Sequence, residues 1–247
     1  MHADYQPASD ILKDRIILVT GAGDGIGRAA ALAFAQHGAT VVLLGKTVSK
    51  LESVYDEIEA AGCSTPAIYP MHLEGATPHD YDELANVMET NFGHLDGILH
   101  NAASLPYLSR LKDYDTEDWL KAMQVNLNAP FQITRACLPL LDKSADARVI
   151  FTTDTVGHVG KAFWGAYGVS KFGIEGLTQI LAAELENGPV CVNCIDPGPT
   201  RTALRKKAFP GEQNADLKTP DTLAPLYLWA MGPDSRGITG QRLAWDD

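Results

Sequence analysis

Two residues of the 247-residue chain, Tyr167 and Lys171, have the types and spacing for proton chemistry. They stand four apart in a segment with helical character, so both lie on one face of the helix. A free phenol ionises near pH 10, too high for a ready base at neutrality (about 10 in model peptides). A neighbouring ammonium favours the phenolate and brings that value down. A phenol tuned in this way can both give and take a proton. A second feature lies near the start of the chain. The β-branched run Ile16-Ile17-Leu18-Val19-Thr20 leads into Gly21-Ala22-Gly23-Asp24-Gly25-Ile26-Gly27, then into Arg28-Ala29-Ala30-Ala31-Leu32-Ala33-Phe34. A glycine-rich turn between strand and helix lets a phosphate approach the backbone and meet the unpaired N–H groups of the helix start. The expected ligand is a nucleotide.

The remaining elements must position these two features. Strands are expected at about 40–44, 67–73, from 98 onward, 148–153 and 190–196. Helices are expected from the glycine turn through Arg28–Phe34, and at about 49–61, 80–92, 116–140 and 166–186, with Pro130 marking a kink or irregularity in the fourth. This alternation predicts one parallel sheet with helices on both faces. The segment 203–219 is polar and basic, contains Pro210 and Gly211, and reads as a loop over a binding site.

Composition narrows the function. The formal net charge of −11 argues against non-specific nucleic-acid binding. No apolar run reaches the roughly 18 residues of a membrane span. Met1-His2-Ala3-Asp4-Tyr5-Gln6-Pro7 lacks the basic and apolar regions of a secretory signal, so a cytoplasmic location is expected. Of the cysteines, Cys63, Cys137, Cys191 and Cys194, the last two form Cys-Val-Asn-Cys. Three apart in a strand, their thiols face opposite sides, and no zinc-spaced partner pair accompanies them. No metal site is expected.

With these motifs in order, the chain resembles the short-chain dehydrogenase/reductases over nearly its whole length. The matching residues are Thr20-Gly21-x-x-x-Gly25-Ile26-Gly27, Asn101-Ala102-Ala103, Asn126 in Val-Asn-Leu, Tyr167-x-x-x-Lys171, and Pro197-Gly198 ahead of Thr202. Finer features resemble the YciK-type branch: Trp164-Gly165-Ala166-Tyr167, Arg201-Thr202-Ala203-Leu204-Arg205, and Leu217-Lys218-Thr219-Pro220 ahead of Leu226-Tyr227-Leu228-Trp229. The resemblance implies an α/β single-domain Rossmann fold over residues 1–247, a doubly wound parallel sheet of about seven strands. It implies hydride transfer between a nicotinamide and a small carbonyl or alcohol, the cofactor supplying the hard chemistry. Tyr167 would be the acid/base. Lys171 would lower its pKa and bind the nicotinamide ribose. Asn126 would hold a water of a proton relay. Gly21, Gly23, Asp24, Gly25, Ile26 and Gly27 would cradle the pyrophosphate. His72, Leu73, Asn101, Ala102 and Ala103 would line the cofactor cleft, and Pro197, Gly198, Thr200 and Thr202 would border the nicotinamide. A homodimer or homotetramer pairing the two long helices is also implied.

The chain departs from the family pattern at three of these places. A serine normally stands 13 residues before the tyrosine, and here that position is Asp154 in Thr152-Thr153-Asp154-Thr155. A carboxylate only accepts hydrogen bonds and repels a developing oxyanion. A protonated Asp154, or a hydroxyl from Thr153 or Thr155, would have to replace the serine. Ala103 stands in place of a glycine, and His72 in place of an aspartate. At the end of the second strand, Gly45-Lys46 offers a cation where an acid would bind a ribose 2′-hydroxyl. This favours NADP, with NAD the alternative. Two functions stay open: an NADP-dependent oxidoreductase with Asp154 in its catalytic set, or a catalytically impaired nucleotide-binding protein acting as a sensor or assembly subunit. His158, Trp164 and the 203–219 loop are the expected substrate pocket.

Overall fold

The computed structural model describes residues 4–245. Met1, His2 and Ala3, part of the segment read as lacking a signal, lie outside them. Seven strands form one sheet: β1 (Ile16–Thr20), β2 (Thr40–Gly45), β3 (Ala67–Pro70), β4 (Gly97–His100), β5 (Ala147–Thr152), β6 (Val190–Asp196) and β7 (Arg242–Ala244). Their order is β3-β2-β1-β4-β5-β6-β7, and every neighbouring pair is parallel.

Alternating strand residues feed two cores. Ile17, Val19, Val41, Leu43 and Leu99 pack with α1 (Gly25–Gln36), α2 (Val48–Ala60) and α8 (Ala224–Met231). Leu18, Val42, Leu44, Ile98 and Phe151 face the other way, onto α3 (Pro78–Phe92), α5 (Ala129–Leu141) and α6 (Gly165–Glu184). Both faces of the sheet are therefore dry, which is why its strands read as continuous apolar runs. The strand order reverses between β1 and β4. Their carboxyl ends diverge into loops there, which leaves a crevice.

Three expectations need correction. The third strand stops at Pro70 rather than near residue 73. Met71 N–H donates to Gly45 O at 2.9 Å, and a turn closed by Gly75 N–H on His72 O (3.1 Å) takes the chain off the sheet edge. The helix expected over 116–140 is two helices, α4 (Thr116–Met123) and α5, joined by a π-helical turn at Gln124–Asn128. Ala129 N–H reaches back five residues to Gln124 O. Pro130, the second residue of α5, has no N–H to give the Asn126 carbonyl. The segment 203–219 is not all loop. It carries α7 (Ala203–Ala208), capped by Thr202, whose Oγ1 accepts from Arg205 N–H at 3.1 Å, and a 3₁₀ turn at Asn214–Asp216. The four cysteines are free thiols, with Cys194 buried in β6 and Cys191 partly exposed.

Candidate active site

The carboxyl ends of β1, β2, β4, β5 and β6 open onto a cavity of about 650 Å³. Gly21, Gly23, Asp24, Gly25 and Ile26 form its floor, and Gly45, Lys46, His72 and Leu73 one end. Asn101, Ala102, Ala103, Asp154, Tyr167, Lys171, Pro197, Gly198, Thr200 and Thr202 line the other end. Two expected residues do not line it. Gly27 lies beneath the floor, where an added Cβ would stand 2.3 Å from Gly21 O and 2.6 Å from Asn101 Nδ2. Asn126 is buried, and its amide is engaged elsewhere: Oδ1 accepts from Ser104 N–H (2.7 Å), while Nδ2 donates to Ser104 O (2.8 Å) and Ser170 Oγ (3.1 Å). Its side chain thus fixes the loop after β4.

The glycine turn fits a pyrophosphate. Gly21 and Gly25 adopt φ of +67° and +55°, and Gly21 has Ala102 Cα within 2.9 Å of where a Cβ would be. A side chain at either position would be strained. Asp24 caps α1, accepting from Gly25 N–H at 2.7 Å, and pairs with Lys50 on α2. That ion pair balances a carboxylate placed where a phosphate would bind. Lys50 and its cavity position were not foreseen from sequence. A Lys one turn into α2 is an ordinary surface residue until the fold brings it to Asp24. Lys46 lines the same end and is exposed, with no side-chain partner among the described residues.

At the opposite end, α6 carries Tyr167 and Lys171 on one buried face. Tyr167 Oη donates to Asp154 Oδ2 at 3.1 Å. Asp154 caps a 3₁₀ turn after β5, its Oδ1 accepting from Val156 N–H at 3.1 Å. Lys171 Nζ donates to Thr152 O at 2.7 Å and lies 5.4 Å from the centre of the Tyr167 ring. Burial, then the charge and hydrogen bond of Asp154, push the Tyr167 phenol well above its ordinary value. Lys171 alone would lower the phenol pKa and Asp154 raise it; here burial, joined by Asp154, decides the sign upward. Burial brings Lys171 down from 10.5 to about 8, against the opposing pull of Asp154.

The threonines beside Asp154 do not replace the serine. Thr153 Oγ1 donates to Glu175 at 3.0 Å and Thr155 Oγ1 to Asp196 Oδ2 at 2.9 Å. Asp196 Oδ1 also accepts from Gly198 N–H (2.9 Å), and Arg242 bridges Asp196 and Glu175. This buried polar group sets the turn at Pro197-Gly198. Asp196 is the organising residue that strand periodicity alone could not single out. His158 does not line the cavity; it sits 3.4 Å from Glu175. Trp164 does, its ring 5.6 Å from that of Tyr167 and 5.8 Å from that of Phe209. Arg205 covers Phe209 at 4.0 Å and is held by Glu212. The α7 segment thereby closes over the site through a stack that ends on the phenol.

Among the described residues there is no cluster of metal-ligating side chains, and no helix is long and apolar enough to cross a membrane. The short chain dehydrogenase family model matches residues 15–213. The Escherichia coli K12 oxidoreductase YciK is 48% identical over 236 residues, covering 96% of this chain and 93% of that protein. A short chain dehydrogenase structure from Pseudomonas syringae is 51% identical and superposes with a TM-score of 0.96 over 98% of each chain. Another, from Shigella flexneri 2a and complexed with NADP, is 46% identical, with a TM-score of 0.94 over 96% of this chain and 99% of that one. With this cradle, this Tyr-Lys pair and these relatives, the chain belongs to the short chain dehydrogenase family of oxidoreductases.

Proposed function

We propose that this protein transfers a hydride between NADP(H) and a small carbonyl or alcohol. The observation that carries the reading is the placement of Tyr167, Lys171 and Asp154 at one end of a cavity whose other end holds unpartnered Lys46. Lys46 supplies the cation for a 2′-phosphate, and no carboxylate competes at the end of β2. The NADP-bound relative supports the same choice. The turn Gly21–Gly27 and the start of α1 would hold the pyrophosphate, with Pro197, Gly198, Thr200 and Thr202 at the nicotinamide end. The nicotinamide, when bound, supplies the hydride chemistry. The chain's own residues do the rest. Lys171, anchored on Thr152 O, keeps a cation beneath the phenol and in reach of a ribose. Tyr167 Oη exchanges a proton with the substrate oxygen. Trp164 and Phe209 pack apolar rings beside the phenol.

A second reading, a nucleotide-binding protein without turnover, draws on Asp154 alone, since a carboxylate there supplies no oxyanion donor. Consumption of NADPH against a panel of carbonyls separates the two. Wild type turns over at least one of them and Tyr167→Phe does not. Cofactor binding with no turnover across the panel would favour the second reading.

The helix surfaces suit a homodimer or homotetramer. Leu120 on α4, Phe131 on α5, and Phe172 and Ile180 on α6 are 61%, 43%, 45% and 59% exposed. A two-fold contact between these helices would cover such apolar side chains on both subunits.

A further inference from the structure

We infer that Asp154 is a proton carrier in the reaction: its carboxylate takes the Tyr167 proton as Tyr167 takes one from the substrate hydroxyl, then releases it to solvent. This rests on the oxidoreductase reading. In alcohol oxidation the carbinol C–H pair leaves as hydride to the nicotinamide, the O–H pair becomes the second bond of the carbonyl, and the proton passes through Tyr167 Oη to Asp154 Oδ2. Carbonyl reduction runs the same path backward, with the carboxylic acid re-supplying the phenol.

Three observations carry this. First, Asp154 is the side chain to which Tyr167 Oη donates among the described residues, at 3.1 Å, and its other oxygen is fixed by Val156 N–H. The acceptor is thus aimed and held. Second, the route implied by the family pattern, through Lys171 to a water on Asn126, is not built from side chains here. Lys171 Nζ donates to Thr152 O, and both polar atoms of the Asn126 amide are already taken, by the backbone of Ser104 at the cavity wall and by the buried Ser170 hydroxyl. Third, Asp154 is only half-buried and lines the open cavity, so a proton on it can reach water directly, whereas Tyr167 and Lys171 are buried. The charged groups around the pair are Lys171 on α6, Asp196 at the end of β6, Lys161 on the loop after Asp154, and Arg205 of α7, itself paired with Glu212. None of the other carboxylates is hydrogen-bonded to the phenol.

The base that titrates is then a carboxylate rather than a phenolate. The pH profile of kcat/KM for alcohol oxidation, measured with an alcohol whose ketone the carbonyl screen identifies, tests this. In Asp154→Asn the acidic limb moves up in pH relative to wild type, and activity at acidic pH drops about 10²- to 10⁴-fold, the scale of one positioned acid or base. Asp154→Ser, the residue usual in the family, keeps turnover in alkali and loses the acidic limb likewise. A second readout needs neither substrate nor cofactor. The ultraviolet tyrosinate titration, with Tyr167→Phe as the blank, shows Tyr167 ionising at lower pH in Asp154→Asn than in wild type. An acidic limb that Asp154→Asn leaves in place, or a phenol titration it leaves unmoved, overturns the proton-carrier role. Undiminished turnover in Tyr167→Phe would instead overturn the oxidoreductase mechanism itself.

Discussion

Lys46→Glu tests cofactor choice at its physical source. Lys46 stands at the carboxyl end of β2, exposed on the cavity rim, with no side-chain partner among the described residues. Two unit charges about 4 Å apart attract by about 1 kcal/mol in water, and by about 4 kcal/mol at an effective dielectric of about 20. An exposed lysine belongs near the lower figure, because solvent screens it and ordering its side chain costs entropy. Removing the cation should therefore weaken NADPH about fivefold. Installing a carboxylate adds repulsion of similar size, so Lys46→Glu should weaken NADPH about thirtyfold. NADH, which has a 2′-hydroxyl for the new carboxylate to accept from, should hold or improve. Calorimetric titration of both cofactors with both proteins measures the ratio. Repeating it at high salt should shrink the wild-type preference, since about 3 Å of screening length remains at 1 M. Equal affinity of wild type for NADPH and NADH, or equal weakening of both by Lys46→Glu, would refute the reasoning. In the second case Lys46 would be acting on the shared part of the cofactor.

Other consequences are as direct. Gly27→Ala should lose about 1–3 kcal/mol of stability in urea, because its Cβ would press on Gly21 O and Asn101 Nδ2; an unchanged midpoint would contradict the packing. Lys171 carries a depressed pKa, so the cost of burying its cation is fully present below about pH 8 and is relieved as pH rises from about 8 toward 10.5. The stability of wild type relative to Lys171→Met should accordingly climb by about 3 kcal/mol across that window, at about 1.36 kcal/mol per pH unit; a flat difference would mean the ammonium is not desolvated. Phe172→Glu should turn a dimer or tetramer into smaller species in light scattering at micromolar concentration, and a wild-type monomer would remove the proposed assembly.

Much of the molecule is legible in the chain because it depends on short-range rules. β-branched runs bounded by glycines and amphipathic windows locate six of the seven strands and the main helices. The glycine-rich turn 21–27 between strand and helix marks the phosphate cradle, and the structure adds the positive φ of Gly21 and Gly25. Four-residue spacing alone puts Tyr167 beside Lys171. The three-residue β7, half-buried at the sheet edge, has too little pattern to be seen. The break at Gln124–Asn128 was placed at Pro130, yet the missing N–H acts one turn earlier, on the preceding carbonyls.

What the chain could not decide are the pairings between distant segments. Lys50 neutralises Asp24 only because α2 folds back over the glycine turn. The fate of Asn126 is decided by Ser104 and Ser170, on two other elements. The sign of the perturbation at Tyr167 is the plainest case. The sequence supplies both a lysine that would lower its pKa and, 13 residues earlier, an aspartate that would raise it. Tertiary structure buries the phenol and sets its oxygen against Asp154, and together these raise it. Local periodicity determines which residues share a helix face. Burial and the approach of a charge from the turn after β5 determine what those residues can do.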